Sequence, residues 1–184
     1  MKRALVAFCR PAIPGKVKTR LAQTIGHKAA SDVYALMLSH AADKYSHVNA
    51  DLRVFVSEEP EEIKLPWPIT ALQEGADLGE RMSNAFLQSF SQGYDQVLLC
   101  GTDIPSLTAE IISEYFDALG SWGMAIGPST DGGYYLIGLT RAAFDSSLFT
   151  GIPWSTPSVF TDTTTAAQRL KLRTHVGPLL TDLD

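Results

Sequence analysis

The chain has 184 residues, 45% hydrophobic and 19% charged, with a net charge of −5. This length and balance suit one globular domain spanning residues 1–184. The acidic balance excludes a general nucleic-acid binder, which needs a basic field, and no apolar run approaches the roughly 20 residues of a membrane span. Lys2-Arg3 leads straight into an apolar run with no small-residue cleavage site, so no signal peptide and a cytoplasmic location are expected.

Taken in order, strands and helices alternate. Residues 4–8 form a continuous apolar run, the mark of a central strand. A polar loop with Pro11, Pro14 and Gly15 follows. The next helix carries an apolar stripe of Val33, Leu36, Met37, His40, Ala41 and Tyr45. Residues 52–56 and 69–72 read as strands. Asp77 and Glu80 have the spacing of a helix N-cap and its capping-box partner, with Leu78, Met82, Ala85, Phe86 and Phe90 as the buried face. Residues 96–100 are a second central strand. Ile111, Ile112, Tyr115, Phe116 and Leu119 mark a helix closed by Gly120. Residues 124–126 and 134–139 are strands around an Asp131-Gly132-Gly133 turn, a helix covers 159–170, and 175–180 forms the last strand. This alternation predicts an α/β fold, a mostly parallel sheet between two helix layers. The strand near 134–139 is antiparallel, because so short a turn cannot hold a crossover.

Cys9 and Cys100 fall at predicted strand ends without metal-site or disulfide spacing, as small buried thiols do. His27, His40, His47 and His175 likewise show no metal-ligand spacing.

Three segments at predicted strand ends can carry chemistry, and ligands collect at such ends in open α/β sheets. Gly101-Thr102-Asp103-Ile104-Pro105 places a carboxylate just past a central strand with no Lys or Arg beside it in sequence. Asp103 there suits a divalent cation on a phosphorylated ligand; the plainer reading is a helix cap. The first loop holds Arg10, Lys16, Lys18 and Arg20 ahead of a helix. Gly15 permits close backbone approach and the cations can neutralise phosphate, although the pattern is neither Walker A nor G-x-G-x-x-G; the plainer reading is a solvated basic loop. In the segment 127–135, Gly132 and Gly133 let the backbone approach a ligand, and Asp131 can orient a hydroxyl or act as a base. A hairpin turn is the plainer reading. Ser129 does not sit in a G-x-S-x-G elbow, since residue 131 is Asp. Asp182 and Asp184 could complete a metal site with Asp103, and Trp154 is a stacking platform or a core anchor.

These motifs together resemble the bacterial transferases associated with radical-SAM and selenium-related gene clusters, which are glycosyltransferase A-type, nucleotide-diphospho-sugar transferase-like proteins. The likeness rests on five ordered motifs: 8–11 with 14–21, Asp77-Leu78-Gly79-Glu80-Arg81-Met82, residues 101–105, residues 127–138, and Trp154-Ser155-Thr156. Relatives usually continue past their final D-x-D, whereas this chain stops at Asp184. The resemblance implies a Rossmann-like three-layer sandwich. It implies a nucleotide over Arg10, Gly15, Lys16, Lys18, Thr19 and Arg20, and Mg²⁺ or Mn²⁺ at Asp103 and Asp184. Donor or acceptor contacts would come from Asp77, Gly79, Arg81, Gly132, Gly133, Trp154 and Ser155, and Asp131 and Asp103 would be catalytic. The family is distantly similar to 2-phospho-lactate and molybdenum-cofactor guanylyltransferases. Three functions therefore stand: glycosyl transfer from a nucleotide-diphospho-sugar to a small-molecule acceptor, nucleotidyl transfer from an NTP with release of pyrophosphate, and nucleotide binding without catalysis.

Overall fold

The computed structural model describes residues 1–59 and 64–183. Seven strands form one sheet: β1 (Arg3–Cys9), β2 (Asp51–Val56), β3 (Ala71–Leu72), β4 (Gln96–Cys100), β5 (Met124–Pro128), β6 (Tyr134–Thr140) and β7 (Thr174–Val176). Their order is β3-β2-β1-β4-β6-β5-β7. Neighbours run parallel except β6, which is antiparallel to both β4 and β5. The predicted mostly parallel sheet with its antiparallel strand at 134–139 is what forms.

Among the described residues, five α-helices cover the sheet: α1 (Thr19–Ile25), α2 (His27–Ser46), α3 (Leu78–Ser91), α4 (Ala109–Trp122) and α5 (Val159–Arg169). The continuous apolar runs of β1 and β4 are explained by burial on both faces. Ala4, Val6, Val97 and Leu99 point into one core with Met82, Phe86 and Phe90 of α3. Their alternates Leu5, Ala7, Leu98 and Cys100 join Tyr115, Phe116 and Leu119 of α4. This period of two places a helix layer on each side. No helix among the described residues is long and apolar enough to cross a membrane.

The structure differs from the sequence reading at several points, and of the strand expected at 69–72 only Ala71–Leu72 forms. The expected stripe on α2 is rotated: Tyr34, Met37, Leu38, Ala41 and Tyr45 are buried, whereas His40 is exposed and Leu36 is 64% exposed. Apolar residues ring this helix, so periodicity alone does not choose the face. Helix α4 runs through Gly120 and stops at Gly123, whose φ of +79 lets its N–H turn back to the Leu119 carbonyl at 3.3 Å. The last strand, Thr174–Val176, is shorter than 175–180, and beyond it Leu180 forms an isolated parallel bridge with Ser129.

The expected cap of α3 forms. Asp77 Oδ1 accepts from the Glu80 N–H at 2.8 Å, and Glu80 Oε2 accepts from the Ala76 N–H at 2.8 Å. The reciprocal bond reaches one residue beyond the cap itself.

Strand order fixes where a ligand can sit. The chain leaves β1 for β2 on one side and returns to pair with β1 on the other as β4. The carboxyl ends of these adjacent parallel strands, in register at Ala7 and Cys100, form the switch-point crevice of an open α/β sheet.

Candidate active site

The first loop leaves β1 and the Gly101–Pro105 segment leaves β4, so the topology sets them side by side. Two tyrosines of α2 hold them there. Tyr34 accepts from the Arg10 N–H at 3.1 Å and shares a hydrogen bond with Thr102 Oγ1 at 3.3 Å. Tyr45 donates to the Gly101 carbonyl at 2.6 Å and accepts from the Cys100 thiol at 3.3 Å. Burial pushes the Tyr34 phenol up to about 12 and the Cys100 thiol up to about 12. Tyr45 belongs to the stripe expected from the sequence, whereas Tyr34 escapes it, because only the rotated face of α2 turns that ring inward.

The crevice consists of two cavities that meet at Leu78, Gly101, Asp103 and Ser155. The first, of about 500 Å³, is basic: Arg10, Lys16, Lys18 and Arg81 line it beside Thr19 and Gln73. Lys16 is paired with Glu58 at 2.6 Å. Arg81 donates from Nε to the Gly75 carbonyl at 3.2 Å. Gln73 donates to the carbonyls of Cys9 and Phe55, at 3.2 and 3.0 Å, which secures the mouth of β1. Gly15 lines neither cavity. Its φ of +85 belongs to the loop's turn, and Lys16, Val17, Lys18 and Thr19 present the surface instead.

The second cavity, of about 570 Å³, is acidic: Asp103, Asp131 and Asp182 line it. Arg20, expected with the other loop cations, lines this cavity instead. The first turn of α1 carries it there, past the last residue of the loop. Asp131 Oδ1 accepts from the Gly133 N–H at 2.9 Å, which locks the β5–β6 turn and orients the carboxylate. Asp182 Oδ1 accepts from Ser129 Oγ at 3.2 Å. Trp154 meets Tyr134 edge to face, with centroids 6.4 Å apart, and both rings line the cavity.

Asp103 lies at the junction, and its electrostatic setting differs from the sequence reading. No cation neighbours it in sequence, yet Lys18 Nζ lies 3.1 Å from Asp103 Oδ2. The same ammonium donates to the Leu183 carbonyl, and the Leu183 N–H donates to the Asp103 carbonyl at 3.0 Å. The tail therefore crosses the crevice at this point. A Cβ at Gly101 would stand 2.9 Å from Asp103 Oδ1.

Several expected contact residues serve the scaffold. Asp77 is the α3 cap and lines neither cavity. At Gly79 a Cβ would lie 2.5 Å from the Phe149 carbonyl oxygen and 2.7 Å from the Trp154 ring, so this glycine lets α3 pack under Trp154. At Gly132 a Cβ would lie 2.1 Å from the Pro157 carbonyl oxygen. Gly132 accepts from the Phe160 N–H at 2.9 Å and docks the turn onto the start of α5. Gly133 and Ser155 do line the crevice. Asp184 lies outside the described residues. Among those described, no three His, Cys, Asp or Glu side chains could hold a metal ion together.

A model of the family described as uncharacterized protein conserved in bacteria (DUF2064) matches residues 42–156. No curated protein matches the chain. Among solved structures, a candidate nucleotide-diphospho-sugar transferase from Desulfovibrio desulfuricans G20 is 33% identical. The match covers 100% of this chain and 83% of that one, with a TM-score of 0.94. CMP:2-keto-3-deoxy-manno-octonic acid synthetase, complexed with CTP, is 11% identical over 98% of this chain and 91% of its own, with a TM-score of 0.57. Rv0371C from Mycobacterium tuberculosis H37Rv, in complex with manganese, is 8% identical over 100% and 93%, with a TM-score of 0.57. The last two share the fold.

Proposed function

The chain belongs to the DUF2064 family of proteins conserved in bacteria, and we propose that it is a transferase that moves a glycosyl group from a nucleotide-diphospho-sugar to a small-molecule hydroxyl. One observation carries the reading: a basic and an acidic cavity meet at Asp103, at the switch point between β1 and β4. The basic side suits the diphosphate. Arg10, Lys18 and Arg81 bind phosphate oxygens there, beside the Thr19 hydroxyl at the start of α1. The acidic side suits the acceptor. Asp131, held through Oδ1, takes the proton of the attacking hydroxyl. The acceptor oxygen forms a bond to the anomeric carbon, the bond from that carbon to the diphosphate breaks, and its electron pair leaves on the phosphate oxygen. The relative at 33% identity, itself named a candidate nucleotide-diphospho-sugar transferase, supports the same reading.

Asp103 and its surroundings fit a divalent cation. Lys18 already stands on this carboxylate as a cation. Mg²⁺ takes only one or two protein carboxylates, with phosphate and water completing its shell, so Asp103 suffices without an all-protein cage. Mg²⁺ or Mn²⁺ held there would neutralise charge on the leaving diphosphate. The manganese complex of the fold-sharing Rv0371C supports this assignment.

A second reading is nucleotidyl transfer from an NTP with loss of pyrophosphate, favoured by the number of cations lining the basic cavity. The pairing of Lys16 with Glu58 and of Lys18 with Asp103 lowers the charge available to a triphosphate and favours the first reading. Incubation with UDP-sugars, GDP-sugars and the four NTPs, each with Mg²⁺ or Mn²⁺ and an acceptor panel, decides between them. Release of a nucleoside diphosphate supports glycosyl transfer and release of pyrophosphate supports nucleotidyl transfer. Binding without turnover supports a non-catalytic nucleotide binder.

A further inference from the structure

The two cavities differ in more than charge. In the acidic one, Asp131 and Asp182 leave the lining net negative even with Asp103 paired to Lys18 and with Arg20 present. Ionised carboxylates only accept hydrogen bonds, so a ligand must bring donors: hydroxyl or ammonium groups. A phosphate dianion brings none and is repelled at short range. The lining also holds an aromatic corner, the Tyr134–Trp154 pair with its rings at 79°. Such a corner takes the C–H face of a sugar ring, or a cation over a ring. The volume of about 570 Å³ falls within the range of small-molecule sites.

Resting on the transferase reading above, we propose that the acceptor is a polyhydroxylated molecule without phosphate, neutral or bearing an ammonium group, bound between Asp131, Asp182 and the Tyr134–Trp154 corner. The crevice sorts its two substrates by charge. Phosphate is drawn to Arg10, Lys18 and Arg81 and turned away from Asp131 and Asp182. Each substrate thus enters its own side, and the reacting atoms meet at Asp103, which belongs to both cavities. Ser129, bonded to Asp182 at 3.2 Å, fixes that carboxylate on the acceptor side.

Saturation-transfer NMR on the full chain tests this with glucose, glucosamine and glucose 6-phosphate as probes, in excess inorganic phosphate so that the basic cavity does not capture the phosphorylated probe. Wild type should bind glucose and glucosamine and bind glucose 6-phosphate about tenfold more weakly or worse, the penalty of a dianion beside two carboxylates. The Asp131→Asn/Asp182→Asn double variant, with its changes at the cavity lining, should bring the three probes to within about threefold of one another. Trp154→Phe, which keeps an aromatic ring, should retain the order of preference. Glucose 6-phosphate binding as tightly as glucose overturns the proposal, as does polyol binding that is absent or indifferent to the double substitution. Binding of UDP and GDP is followed in parallel. Its failure with polyol selectivity intact overturns the transferase reading alone; loss of selectivity with nucleotide binding intact overturns the acceptor assignment alone.

Discussion

Lys18 and Asp103 form the ion pair on which three separate segments converge. The Lys18 side chain is 6% exposed and its Nζ stands 3.1 Å from Asp103 Oδ2. Its backbone lies in the left-handed region with φ of 46°, a conformation a lysine adopts only where the surroundings impose it. The first loop, the Gly101–Pro105 segment and the segment at Leu183 are joined through this ammonium. Asp103→Ala therefore leaves a nearly buried cation without its partner, and the expected outcome is a loss of about 1–3 kcal/mol in urea unfolding. The Lys18→Met/Asp103→Ala double variant should recover part of that loss. A double-mutant cycle with no coupling refutes the pairing as a source of stability.

The same pair makes a prediction about metal. If Asp103 binds a divalent cation, Lys18 competes for the same oxygen. Lys18→Met should then bind Mn²⁺ more tightly than wild type in the absence of nucleotide, by about tenfold, as read by electron paramagnetic resonance of free Mn²⁺. Its affinity for UDP or GDP should fall, since a phosphate ligand is lost. Unaltered Mn²⁺ binding in a folded variant removes Asp103 from the metal site.

Reading the sequence locates the crevice better than its chemistry. The runs ending at Cys9 and Cys100 identify two central strands, because burial on both faces requires apolar residues at every position. With them come the loops that flank the crevice. What sequence order cannot carry is contact across the sheet. Lys18 and Asp103 are 85 residues apart, and their pairing depends on β4 lying next to β1, which no local pattern specifies. Tyr34 is hidden for a related reason, since α2 is apolar on several sides. Asp77 and Gly79 occupy a motif that resembles a binding sequence, yet the physical demands on them are a helix cap and a close ring contact.

The buried thiols predict an alkaline weakness. Burial pushes Cys9 up to about 12 and Cys100 up to about 12, from an ordinary 9.0. Above pH 9 the unfolded chain releases these protons while the folded one retains them. Their contribution is fully present below about pH 9 and is lost as pH rises toward 12, at up to about 1.4 kcal/mol per pH unit for each thiol. Urea midpoints measured from pH 8 to 11 should fall more steeply in wild type than in the Cys9→Ala/Cys100→Ala variant. Equal slopes mean that the thiols ionise as readily in the folded protein as in the unfolded chain.

Gly79 predicts a packing defect that reaches the acceptor cavity. An alanine methyl there meets the Phe149 carbonyl oxygen at 2.5 Å and the Trp154 ring at 2.7 Å. The backbone oxygen cannot easily yield, so the ring moves. Gly79→Ala should cost about 1–3 kcal/mol and weaken glucose binding while leaving UDP or GDP binding near wild type. Retention of full stability indicates that α3 has room to shift.

Asp131 bears the acceptor chemistry in the proposed reaction. Its Oδ1 is engaged by the Gly133 N–H at 2.9 Å, so the turn holds the carboxylate in one orientation without consuming both oxygens. Asp131→Asn retains an oxygen for that hydrogen bond and removes the ability to take a proton. Turnover with the active donor should fall by about 10²–10⁴-fold, the usual contribution of a positioned base, while donor affinity changes little because Asp131 lines only the acidic cavity. If donor binding collapses while the variant remains folded, Asp131 serves the donor side and the proton must go elsewhere.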